Sequence, residues 1–348
     1  MGSEMCIRDR YISSSAMTLT QLKYLISVVD NKLNISKAAE FSNTSQPGIS
    51  KQVKLLEDEL GAHLFIRKGK KIESLTPLGE RVTTYARKIL QDVENIKVIG
   101  NQISKVDEGV MTVAATSAQA RYVLPEVIKI FKQDYPKIKF ELKLGSSEQI
   151  IEMVKNNEVD FAIATDLIDL TDELVLLPAY HWFNAIIAPL DHPLKKHMKN
   201  LTIKRIAKEP LVTYAFSVGP DTSFTETFKK NKLEPNIVFA ARDADIIKTY
   251  VKMGMGVGVI SGMAYECDDN DEFIAISGEN IFPKCTTYFG FRRGMVLSRY
   301  AMSFINLFSE HLTPSIVNNA ASTKTQVEVD NLFKKIKLPV KGGCDQIK

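Results

Sequence analysis

Between Leu33 and Gly61 the chain reads NISKAAEFSNTSQPGISKQVKLLEDELG behind its leading Leu, a pattern that few folds accommodate. Ile35, Ala38, Ala39 and Ser42 share one face of a first short helix. Ile49, Val53, Leu56 and Leu60, stepping by four, three and four, share one face of a second. Between them Asn43, Thr44, Ser45 and Gln46 are all able to cap a helix, and Pro47 stands where only a first helical turn accepts it. The spacing predicts two short helices around a tight polar turn. The exposed start of the second carries Ser45, Gln46, Ser50 and Lys51, which suit base edges and phosphates in a major groove. A core helical hairpin with a solvated outer face fits the same periodicity.

The next residues separate these readings. HLFIRKGKKIESLT, His63 to Thr76, predicts two short strands around the basic turn Arg67–Lys71, so the helix pair is followed by a wing. TSQPGISKQVKLLEDELGAHLF, then Arg67, then LTPLGE resemble the DNA-binding domain of LysR-type transcriptional regulators, from about Met17 through the following helix. That resemblance implies sequence-specific DNA binding and extends the contact set to Ser36, Thr44, Pro47, Lys54, Arg67 and Lys70.

A chain of 348 residues, 45% apolar and 25% charged, is enough for two or three globular domains. A net charge of +4 provides no global basic field, so any surface for nucleic acid is local. Cys6, Cys267, Cys285 and Cys344 form no Cys-x-x-Cys pair and are expected to be free thiols rather than a disulfide or zinc framework. No apolar run approaches the ~20 residues of a membrane span. Residues 1–16, MGSEMCIRDRYISSSA, lack the apolar stretch of a secretory signal and are expected to be a non-native or disordered extension. The expected location is the cytoplasm.

Leu19, Leu22, Leu25, Ile26 and Val29 predict an amphipathic helix backing the pair. After the wing, Thr76-Pro77 opens a helix that runs to about Ser104. Val82, Ile89, Ile96 and Ile103 recur every seven residues along it, as in a two-stranded coil; packing on its own domain is the alternative. The domains expected are therefore 17–76, winged helix-turn-helix, and 77–105, linker and dimerisation helix. From Val110 strands and helices alternate. Strands at 111–115, 139–144 and 159–164 with helices at 122–131 and 146–156 imply right-handed parallel crossovers. Strands at 185–188, 211–214, 236–240 and 257–261 with helices at 221–231 and 243–253 form a second unit, and 286–291 and 298–311 return to the first. The fold class is an all-α winged helix-turn-helix with a long linker helix, plus a two-lobed α/β domain over 110–312. Lobe I takes about 110–180 and 284–312, lobe II about 181–283, and 313–348 is a tail. Its resemblance to LysR-type effector domains implies a likeness to periplasmic binding proteins, with a ligand between the lobes.

AATSAQARYVLPEVIKIF, VDFAIATD, LLPAYHW, PLVTYAF, ARDADIIKTYVKMGMGVGVI and TTYFGFRR resemble the CysB-type branch of that family. The resemblance implies control of sulfur assimilation and cysteine synthesis, with acetylserine, sulfate or thiosulfate as effector. Thr116, Ser117 and Gln119 follow the first strand, where open parallel sheets bind ligands, and they open a helix whose N–H groups attract anions. Thr165 ends the next parallel strand, and Trp182, the only Trp, stands at the crossing between lobes. Helix capping by the hydroxyls and lobe packing by Trp182 explain the same residues without a ligand. Two positions depart from the branch: Ala118 replaces a second anion-binding Thr, and the loop 216–220 lacks the expected Thr, leaving Ser217. Each lost hydroxyl costs ~1 kcal/mol of binding.

No catalytic or metal-binding constellation is evident, and the glycines of GMGVGVI enter a strand instead of opening a helix, so an enzyme is not expected. The reading is a transcription regulator acting on double-stranded promoter DNA as a homodimer or homotetramer, with RNA polymerase as a further partner and no membrane. A LysR-type regulator of another pathway, or a solute-binding protein, are the alternatives.

Overall fold

The computed structural model describes residues 17–69, 71–104, 107–165, 172–220 and 222–342, with side chains for all of them but 101–104. It divides into two compact units, Met1–Ile103 and Ser104–Lys348.

The first unit contains α1 (Leu19–Asp30), α2 (Ile35–Phe41), α3 (Gln46–Leu60), a hairpin of β1 (Phe65–Lys68) and β2 (Lys71–Leu75), and α4 (Pro77–Ser104). Each helix start is capped by the side chain before it. Thr18 forms a capping box with Gln21, Asn34 accepts from Lys37 N–H, and Ser45 accepts from Gly48 N–H. Gly61 ends α3 in the left-handed conformation at φ 67°, which a residue without Cβ adopts at low cost. Leu22, Leu25 and Ile26, Ala38 and Ala39, Ile49, Val53 and Leu56, with Leu64, Phe65 and Ile72 of the wing, close one core. Buried Glu57 ties α3 to the wing: its carboxylate accepts Leu64 N–H at 2.7 Å and Phe65 N–H at 3.3 Å. At Gly79 a Cβ would stand 2.1 Å from Leu64 O, so α4 crosses the wing at a distance only glycine allows. Val82 of α4 packs on this same core, whereas Ile89 and Ile96 are 41% and 68% exposed.

The second unit has two lobes. Lobe I begins with β3 (Gly109–Ala115), α5 (Ser117–Tyr122), α6 (Leu124–Asp134), β4 (Ile138–Leu144), α7 (Ser147–Lys155), β5 (Phe161–Thr165) and β6 (Leu174–Trp182). Lobe II follows with β7 (Asn184–Pro189), α8 (Ile203–Ile206), β8 (Leu211–Tyr214), α9 (Ser223–Lys230), β9 (Ile237–Ala241), α10 (Ala244–Lys252), β10 (Val257–Ser261) and β11 (Phe273–Ser277). The chain returns to lobe I with β12 (Cys285–Arg292), α11 (Arg299–Phe308), α12 (Pro314–Ala321) and α13 (Gln326–Phe333). Lobe I's sheet has the order β4-β3-β5-β12-β6 and lobe II's the order β11-β7-β10-β8-β9. The β3–β4, β3–β5, β8–β9 and β8–β10 pairs are parallel, while β12 and β7 run antiparallel to their neighbours.

Several expectations need correction. The helix expected over 122–131 is α6, which starts at Leu124 with Pro125 in its first turn and runs on to Asp134; Tyr122 ends the separate helix α5. The strands β6 and β11 are not predicted from the sequence: Pro178 interrupts the apolar run of the first, and the second carries no polar alternation. Lobe I extends through Trp182. Residues 314–333 are not a tail: Val317, Ala320, Val329 and Phe333 are buried in the lobe I core. Their apolar residues are too few and too spread among polar ones to announce a core element. Val82 faces its own domain, in contrast to the seam expected for it, and the side chain of Ile103 lies outside the described residues. Cys267 is disulfide-bonded, against the expectation of free thiols, and Cys285 is buried. Cys6, Cys344 and all of residues 1–16 lie outside the described residues.

Candidate DNA interface and effector cleft

The exposed side of the helix pair gathers the side chains singled out in the sequence. Gln46 and Pro47 open α3 and are exposed, as are Lys51 and Lys54 further along it; Ser50 is half-buried. Ser45 points its hydroxyl at Gly48 N–H, 3.2 Å away, so it serves first as the cap. Thr44 is half-buried in the turn, and exposed Ser36 of α2 donates to Gln46 Oε1 at 3.4 Å. Arg67 projects from β1, its guanidinium 6.0 Å from the Phe65 ring centroid, and Lys70 lies outside the described residues. A helix start bearing an amide, a hydroxyl and two lysines beside a basic wing can engage base edges and phosphates.

In the second unit, Thr116 directly follows β3 and Thr165 ends β5, at the same end of two adjacent parallel strands in the middle of the lobe I sheet. Thr116 is half-buried, and its hydroxyl does not cap α5. That helix is six residues long, so the dipole expected to attract an anion is short. Ser117 reaches across to lobe II, donating to Arg242 O at 3.3 Å. Ala118 is half-buried on the same turn. Further along α5, Tyr122 donates to Asp245 Oδ1 at 2.7 Å and Arg121 pairs with Asp245 at 2.6 Å, again between lobes. Ser217 lies in a short turn after β8, half-buried, its carbonyl accepting from Thr222 and Thr225.

Three of the residues assigned to the effector meet on Thr287 of β12. Gln119 Nε2 donates to Thr287 Oγ1 at 3.1 Å, Trp182 Nε1 at 3.2 Å, and Thr165 Oγ1 lies 3.2 Å away. Gln119 also contacts Met263 Sδ at 3.6 Å, and its Oε1 accepts from Tyr180 OH. Burial pushes the Tyr180 hydroxyl's pKa well up, so it remains a donor. Gln119 is 1% exposed, Trp182 8% and Thr287 0%, so the Gln119 amide is committed to the core. Thr287 and Tyr180 are absent from the sequence-derived set. A signal existed for Thr287: along CTTYFGF the inward positions are Cys285, Thr287, Phe289 and Phe291, one hydroxyl among apolar groups.

Among the described residues, no cluster of potential metal ligands occurs, and no helix is long and apolar enough to cross a membrane.

A winged helix-turn-helix joined to a two-lobed small-molecule-binding domain defines a ligand-responsive DNA-binding regulator. The family described as LysR substrate binding domain matches residues 104–313, and that described as bacterial regulatory helix-turn-helix protein, lysR family, matches residues 19–80. The chain belongs to the LysR family, and it is a DNA-binding transcription regulator rather than an enzyme. It is 41% identical to the HTH-type transcriptional regulator CysB of Haemophilus influenzae, over 93% of this chain and 100% of that one. It is 38% identical to the regulator SsuR of Burkholderia cenocepacia, over 85% and 96% of the two chains. Cbl of Escherichia coli matches at 31% over 90% and 99%. These relatives place it in the CysB-like branch that its sequence resembles. The crystal structure of the cofactor-binding domain of the Cbl regulator superposes with a TM-score of 0.58 at 32% identity, covering 62% of this chain and 95% of that one. Full-length CbnR complexed with its target DNA shares the fold, with a TM-score of 0.53 at 18% identity over 85% of this chain and 100% of that one.

Proposed function

We propose that this regulator controls sulfur-assimilation and cysteine-biosynthesis genes in the cytoplasm, in response to a small anionic or acetylserine-type effector held between the lobes. The observation that carries the effector site is Thr116, a half-buried hydroxyl at a parallel strand end that does not cap its helix. Thr165, Ser117 and Ser217 supply further hydroxyls around it, and Trp182 reports on the site from behind Thr287. Because Ala118 brings no donor and the Gln119 amide is engaged internally, the donor set favours an acetylserine-type molecule over sulfate or thiosulfate. The DNA surface is Ser36, Thr44–Pro47, Ser50, Lys51, Lys54, Arg67 and Lys70. Exposed Ile89 and Ile96 on α4 support a dimer seam within a homodimer or homotetramer, and RNA polymerase is the partner at promoters.

The test is thermal unfolding with acetylserine, sulfate, thiosulfate and adenylyl sulfate, since a ligand of the folded state raises its apparent stability. One of these should raise the midpoint for the unaltered protein. Thr116→Val, which removes a donor at nearly constant volume, should lose that shift while keeping duplex affinity without effector. An undiminished shift in Thr116→Val overturns the site.

A further inference from the structure

The outer edge of β6 is covered by side chains and, at its far end, by the segment after α13. An edge strand leaves every second backbone amide and carbonyl unpaired. Here those groups are satisfied one after another by side chains and by this segment. Arg293 Nη2 donates to Leu174 O at 2.8 Å. The Gln326 side-chain amide takes the place of a neighbouring strand: Leu176 N–H donates to its Oε1 at 2.9 Å, and its Nε2 donates to Leu176 O at 2.8 Å. Ser309 Oγ donates to Ala179 O at 2.8 Å, and His311 Nε2 lies 3.0 Å from Pro178 O. At the far end the main chain itself pairs: His181 N–H donates to Pro339 O at 2.9 Å and Lys341 N–H to His181 O at 2.8 Å, a parallel bridge centred on Val340. The last pairing therefore falls between Tyr180 and Trp182, both members of the Thr287 network.

Lys341 carries its ammonium into this place. Nζ sits 4.6 Å from the Tyr180 ring centroid and 5.4 Å from that of Phe308, and it donates to Phe308 O at 3.3 Å. Burial holds the Lys341 ammonium below the usual lysine pKa. Packing alone would be served by a Met or Leu against these two rings. A partly desolvated cation adds attraction to the ring faces and so fixes their orientation. Tyr180 is thereby held from two ends, by Lys341 at its ring and by Gln119 at its hydroxyl.

We propose that the bridge at Val340, with Lys341 over Tyr180, is a positioning element of the effector site, holding Tyr180 so that Gln119, Thr287 and Trp182 keep their arrangement. This rests on the effector reading above for its consequence, though not for its geometry. Lys341 acts through Tyr180 and touches no ligand.

The test uses full-length protein with Lys341→Met, Lys341→Arg and Tyr180→Phe. Without ligand, Lys341→Met should shift Trp182 emission and speed hydrogen exchange at the His181 amide about tenfold, since exchange reports local opening. Acetylserine affinity should fall about fivefold to tenfold, in keeping with a lost desolvated cation–π contact. Duplex affinity without effector should not change. Lys341→Arg, which keeps a cation over the ring, should restore all three readouts. Tyr180→Phe should shift Trp182 emission while leaving His181 exchange unaltered. Unchanged Trp182 emission and His181 exchange in Lys341→Met overturn the proposal, as does unaltered acetylserine affinity alongside changed emission. If the Met variant does not fold, unaltered emission in Tyr180→Phe overturns it. If the unaltered protein binds neither acetylserine nor sulfate, the effector reading fails by itself, and the two ligand-free readouts still decide the role of Lys341.

Discussion

The recognition helix and the effector network both begin as short polar stretches, and the two units treat them in opposite ways. On α3, Gln46, Lys51 and Lys54 stay exposed, and helical periodicity alone separates them from Ile49, Val53 and Leu56 beneath. In lobe I, Gln119, Trp182 and Thr287 are buried and spend their hydrogen bonds on one another. Substitution at the first site should change what the protein binds and leave folding alone. At the second, binding and folding are tied, because each donor removed strands another.

The largest effect expected from that contrast comes from Thr287→Val. It preserves branching and volume but deprives the Gln119 and Trp182 N–H groups of their shared oxygen. With each orphaned buried donor costing about 1–3 kcal/mol, the total is on the order of 3 kcal/mol. Urea unfolding followed by Trp182 fluorescence should register it, while a probe on α1 should not move. A Thr287→Val protein with an unaltered midpoint would dissolve the contrast.

A smaller effect is expected at the DNA surface. Gln46→Ala should cut discrimination between specific and random duplex by about 1–3 kcal/mol, the value of a bidentate base contact, with stability unaltered. Arg67→Ala, at a phosphate contact, should weaken both duplexes alike and lower the salt slope by about one. If the two variants behave identically across sequences, α3 is not the base-reading element.

The smallest concerns His311, whose pKa is lowered by desolvation and partly restored by its bond to Pro178 O. Its folded-state pKa lies below the unfolded value of about 6.5, so the unfolded chain takes up the proton first as pH falls. The contribution of His311 is thus fully present above pH ~6.5 and is lost progressively below it. Urea midpoints at pH 7.5 and about 5.5 should differ less in His311→Gln than in the unaltered protein. An equal difference would show that this ring does not couple lobe I to pH.

Legibility follows the same contrast. The helix pair, its wing and the long α4 appear in the sequence because periodicity, capping residues and glycine punctuation are local. Glu57 does not: a carboxylate on a helix looks solvated until the wing folds over it and offers two N–H groups. In the second unit, β8 and β10 have the bounds expected of them, since each is a short apolar run between turn signals. The strand β6 is hidden because Pro178 stands inside its apolar run, and a proline argues against a strand. Of the effector set, Thr116 and Thr165 are visible as strand ends, while Tyr180 and Thr287 become part of a site only when β12 returns from lobe II to lie between β5 and β6.

The winged helix-turn-helix, the two α/β lobes and the family are legible from residue order, because each is written in contacts between residues near in the chain or in a motif long enough to be specific. That Val82 faces its own core, that α12 and α13 complete lobe I, and that Gln119 and Trp182 face Thr287 emerges only from the folded packing. Those outcomes depend on which strand becomes the neighbour of which. That choice is set by burial summed over whole sheets, and no local stretch of residues encodes it.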